Sequence, residues 1–211
     1  MLIKSNKASE LVINPIYVKS LSSVNISRDM ANARVHFGDG EMGVIFNEEA
    51  SFEQKVIIEQ LMRFSEVMTY KELIGLDFRE LENFLRDQNS KPCISPLDFI
   101  KIEKEFIFIK NFLKPVLIFK KGFDLQQKIL LSIKGVDFIT SCKKLKELFS
   151  SVDNEFALNK PKFYQIQEWL IPTGELIFKI NPDIKVDDFE YELLRFIGEG
   201  VIGVNSVRML V

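Results

Sequence analysis

Histidine occurs once and cysteine twice in the 211 residues, with Cys93 and Cys142 far apart. So few thiols and imidazoles exclude a disulfide framework and a zinc cluster, and they point to a reducing, cytoplasmic setting with two free structural thiols. No apolar run is long enough to span a bilayer, which takes about 20 residues. The nearest approach, residues 106–119, is interrupted by Lys110, Asn111 and Lys114 and broken by Pro115. The opening MLIKSNK is too short and too polar for the core of a secretory signal, so no export and no membrane association are expected. A net charge of −2 gives no global attraction to nucleic acid, although local basic patches remain open to it.

What the chain has in excess is phenylalanine: nineteen, against four Tyr and one Trp. The ring of Phe carries no polar group to satisfy, so most of these side chains belong in a core or in an interface. With 46% hydrophobic and 27% charged residues the chain fits one globular domain or two small ones.

In the first part of the chain, residues 10–20 alternate loosely around Val12, Ile16 and Val18, which suggests an edge strand at Pro15. Residues 22–32 are polar and irregular. Two short apolar pieces, 33–37 and 43–46, flank Gly38-Asp39-Gly40-Glu41, the chemistry of a hairpin turn. Ser51-x-x-Gln54 is a capping box, and Ile57, Leu61, Phe64 and Met68 follow at helical spacing, predicting a helix over 52–68. A second box, Asp77-x-x-Glu80, opens a helix with Phe78, Leu81, Phe84 and Leu85 on one face. The two helices should form a helical hairpin. Residues 89–92 break the composition, dividing an N-terminal region, 1–91, from a C-terminal one, 92–211, unless the two form one continuous domain.

Beyond the break, Ser95-Pro96 opens a helix with Phe99, Ile102, Phe106 and Ile109 on one face, although residues 106–109 also suit a strand. Pro115 is expected to end it, with residues 116–119 as a short buried strand and two helices over 124–133 and 136–149. The last fifty residues then spell a strand-turn-strand-helix-strand unit. Residues 162–171 and 175–180 make a hairpin about Pro172-Thr173-Gly174; a capping box at Asp187-x-x-Glu190 opens a helix that Gly198 and Gly200 end; residues 206–211 close the sheet. The fold class is α+β, with small antiparallel or mixed sheets and helical hairpins.

Few residues suggest chemistry. His36 beside Asp39 could act as an acid/base pair, but without a nucleophile motif the plainer reading is a hairpin imidazole facing solvent. Carboxylates at Glu48-Glu49, Asp187-Asp188 and Asp39/Glu41 read as turns and helix starts, leaving no metal site. Gly198-x-Gly200-x-x-Gly203 has a dinucleotide spacing, yet it follows a helix and precedes a strand, the reverse of what that fingerprint needs. No cofactor is expected. Lys143, Lys144 and Lys146 lie on a helix whose Leu145, Leu148 and Phe149 point inward, and an exposed lysine face usually serves solubility.

The run Leu193-Leu-Arg-Phe-Ile-Gly198-Glu-Gly200-Val-Ile-Gly203 resembles the glycine-rich loop after the last helix of the repeat-associated RAMP proteins of CRISPR complexes, and residues 35–41 are similar to the first-strand turn of some of them. The likeness covers about a tenth of the chain. It implies a ferredoxin-like fold and contact of the loop backbone with RNA; apart from the resemblance, Lys143, Lys144 and Arg208 are basic residues that an RNA-binding module would use. After Gly203 this chain departs from the family, carrying Val-Asn-Ser-Val where basic residues and further glycines are usual. The leading expectation is therefore a non-enzymatic structural or adaptor subunit that meets other protein subunits through apolar faces, as a homo- or hetero-oligomer, with an RNA-binding subunit as the alternative.

Overall fold

The computed structural model describes residues 2–38, 40–88, 91–133, 143, 147, 164–170, 175–183, 195 and 206–210. The fold is α+β, with two three-stranded sheets among these residues. The chain forms two compact units, Met1–Leu117 and Ile118–Val211.

The first unit begins with α1 (Asn6–Ile13), where an edge strand was expected over 10–20. Local capping and tertiary packing override the alternation there. Ser5 accepts from the Ala8 amide, the Asp87 carboxylate accepts from the amides of Asn6 and Lys7, and Ala8 and Leu11 are buried. Three antiparallel strands follow: β1 (Ile26–Met30), β2 (Ala33–Gly38) and β3 (Glu41–Phe46). β1 falls in the stretch read as irregular, because its side chains are mostly exposed and offer no apolar alternation. Gly40 sits at φ 83°, the left-handed geometry that the β2–β3 turn requires. Val35, Phe37, Met42 and Val44 point to the core, where the Ser65 hydroxyl of α2 (Phe52–Val67) lies 4.0 Å from the Met42 sulfur.

Capping boxes set the starts of α2, of α3 (Tyr70–Gly75) and of α4 (Phe78–Leu85), at Ser51/Gln54, Thr69/Glu72 and Asp77/Glu80. Ile57, Leu61 and Phe64 are all buried, each stabilising the unit by about 1.5–3 kcal/mol. The next helix, α5 (Pro96–Ile133), runs through Pro115 instead of ending there, so residues 116–119 are helical and not a strand. An interior proline removes one backbone bond, but Ile102, Phe106, Ile109, Leu113, Val116 and Leu117 are buried on both sides of it. That packing outweighs the lost bond. Lys110 of α5 donates to the carbonyls of Ile74 and Leu76 at 2.9 and 2.7 Å, satisfying acceptors at the end of α3.

In the second unit β4 (Tyr164–Leu170) and β5 (Glu175–Ile180) form the expected antiparallel hairpin, with an irregularity between Ile166 and Glu168. β6 (Ser206–Leu210) joins β5 in parallel, pairing Leu176 with Val207 and Phe178 with Met209. Tyr164 and Phe178 are buried edge to face, centroids 5.8 Å apart. The helix expected between β5 and β6 lies outside the described residues, except that Arg195 is helical. No helix among the described residues is long and apolar enough to cross a membrane.

Candidate functional site

A concavity of about 520 Å³ opens between α4, the segment that follows it and the first turns of α5. α4 supplies Arg79, Glu82 and Asn83 from one helical face, and Arg86, which follows the helix as its C-cap, completes the polar side. Its apolar side is built from Pro92 and Ile94 of the connecting segment with Phe99 and Ile100 of α5. Phe99 is held there by an edge-on contact with Phe78, centroids 4.9 Å apart. The cleft joins a hydrophobic surface to fixed charge.

Glu82 is the pivot of its polar side. Though buried, it accepts from the Cys93 amide at 3.0 Å and from the Arg86 guanidinium at 2.5 Å. Removing a carboxylate from water is costly, and these donors are what offset the cost. Arg86 is thereby committed, whereas Arg79 has no ion-pair partner among the described residues. Arg79 is the charge left for a ligand. The Cys93 thiol beside Glu82 is pushed up to about 11 by burial and then by the carboxylate, so it stays protonated and unreactive near neutral pH.

Along α5, away from its buried stripe, a second set of apolar side chains faces outward. Leu97 is 94% exposed, Ile100 63%, Phe108 58% and Ile107 47%. Ile100 belongs to both the cleft and this stripe, which makes them one surface. Among the described phenylalanines, Phe37, Phe64, Phe78, Phe106 and Phe178 are buried, and Phe84 and Phe108 are exposed. The surface is chiefly aliphatic.

The residues singled out in the sequence do not converge on this cleft. His36, on β2, does not face solvent: its imidazole is 2% exposed, covered by the segment after Tyr17. Burial holds it below the ordinary imidazole value; the nearby Lys19 carbonyl pulls the other way, without reaching hydrogen-bond geometry with either ring nitrogen. Asp39, Lys144, Gly198, Gly200 and Gly203 lie outside the described residues. Lys143 is helical and exposed, and Arg208 pairs with Glu175 at 2.8 Å on the neighbouring strand. Among the described residues no group of His, Cys, Asp and Glu could hold a metal ion. The cleft was missed because its signal is faint, an Arg-x-x-Glu-Asn-x-x-Arg repeat on the polar side of α4. No known protein family, curated protein or solved structure matches the chain.

Proposed function

We propose that the chain is a non-enzymatic binding subunit of a larger protein assembly, and that its partner seats apolar side chains along the start of α5 with a carboxylate against Arg79. The observation that carries this reading is the outward stripe of Leu97, Ile100, Ile107 and Phe108 beside a cleft whose one uncommitted charge is a guanidinium. Apolar side chains left in water on a helix whose other stripe is buried gain free energy when a partner covers them, and an arginine at the rim selects the sign of that partner. The thiol beside the cleft is held protonated and so offers no nucleophile for chemistry there.

Size-exclusion chromatography with light scattering, run on the protein isolated from its native source, tests the proposal. A defined complex is expected, dissociated by Ile100→Glu or Phe108→Glu and weakened by Arg79→Glu, with the free chain still folded. A monomer, or a complex that all three variants leave intact, overturns it. Co-purification of RNA that is lost on replacing Lys143 and Arg208 would favour the RNA-binding alternative instead.

A further inference from the structure

Between α1 and β1 the chain crosses the outer face of the first sheet as a strap. It starts at the free edge of β3, where the Val44 amide donates to the Tyr17 carbonyl at 2.8 Å and Val18 bridges Val44 in parallel. It ends at the opposite side, where the Asn25 amide donates to the Phe37 carbonyl at 2.8 Å. In between it lies directly on two glycines. A Cβ on Gly38 would stand 2.0 Å from the Ser23 carbonyl oxygen; one on Gly43 would stand 2.7 Å from that of Lys19 and 2.5 Å from Nε2 of His36. His36, paired across the sheet with Ser27 and Gly43, is therefore roofed by the strap.

We propose that His36 is a latch for this strap: a proton on the imidazole releases residues 17–25 from the sheet and frees the edge of β3, while the core beneath stays folded. An imidazolium enclosed there loses its water and gains no well-formed hydrogen bond, whereas a lifted strap returns it to solvent. The charged groups around it do not reverse that preference. Arg34, next on the same face of β2, is itself cationic and engaged by Asp29; Lys19 of the strap is a second cation, paired with Glu41 of β3. Because burial lowers the affinity of His36 for a proton, the closed strap is favoured above about pH 6.5 and loses ground as the pH falls below it. Each pH unit below that point favours the open form by at most about tenfold.

The single histidine makes the test direct, since its ring resonance in the full chain is unambiguous. Amide-exchange protection at Val44 and Asn25 should fall about tenfold or more between pH 7.5 and 5, in step with the imidazole titration, while Leu61 in α2 keeps its protection. In His36→Gln the fall should disappear; in Glu41→Gln, which removes the carboxylate paired with Lys19 of the strap, it should persist. Unchanged protection in the parent chain while His36 titrates overturns the latch, and so does an equal loss in His36→Gln. The parent titration decides the matter even if His36→Gln fails to fold.

Discussion

The carboxylate of Glu59, buried on α2, accepts the backbone amide of Ile16 at 2.7 Å across 43 residues of sequence. It also takes the Tyr17 amide at 3.3 Å and the Arg63 guanidinium at 3.2 Å, so one side chain anchors the start of the strap to the core. Glu59→Ala leaves these donors without their acceptor. The expected loss is about 2–4 kcal/mol, read from the shift of a urea unfolding curve at constant slope. A loss within about 0.5 kcal/mol, as at ordinary surface sites, would refute the anchoring role.

Two glycines should respond oppositely to alanine. Gly38→Ala brings a methyl group against the Ser23 carbonyl, which is backbone and can yield only if the strap moves. Gly75, the last residue of α3, has nothing within 4 Å of the added carbon. Thermal unfolding should show Gly38→Ala lowered by several degrees and Gly75→Ala unchanged or raised, the gain being about 0.5–1 kcal/mol. Equal effects at the two positions would remove the steric argument for the strap's path.

Asp87 is exposed, yet the amides of Asn6 and Lys7 hold its carboxyl below the usual carboxylate range. A depressed value in the folded chain means that its contribution is present above the unfolded carboxylate range and is lost as the pH falls through the folded value. Stability measured from pH 6 down to pH 2 should therefore drop less steeply in Asp87→Asn than in the parent. Parallel pH profiles would sink this assignment.

Local signals in the sequence were strong enough to place most helices. Ser51-x-x-Gln54 and Asp77-x-x-Glu80 both form capping boxes, and Gly40 turns the β2–β3 hairpin as its neighbours suggest. Thr69-x-x-Glu72 is an equally complete box, and the helix it opens is only six residues long. What could not be read locally depends on distant partners. Nothing near Asn6 announces that Asp87 will cap it, and nothing near Pro115 reveals that buried residues on both sides keep α5 continuous. His36 was misplaced for the same reason, since the strap that covers it comes from residues before β1. The cleft depends on α4 meeting the start of α5, and although its spacing puts Glu82 beside Phe78 and Leu85, nothing near it in the sequence names the Cys93 amide as its partner.

The parallel alignment of β6 with β5 bears on the order of assembly. β4 and β5 are four residues apart in the sequence and can zip within microseconds, whereas twenty-five residues separate β5 from β6. Until it arrives, one side of β5 presents unpaired amides and carbonyls flanking Leu176 and Phe178, a template on which another copy of the chain can nucleate aggregates. Late docking of the last strand thus makes dilute, slow refolding the favourable regime for this protein.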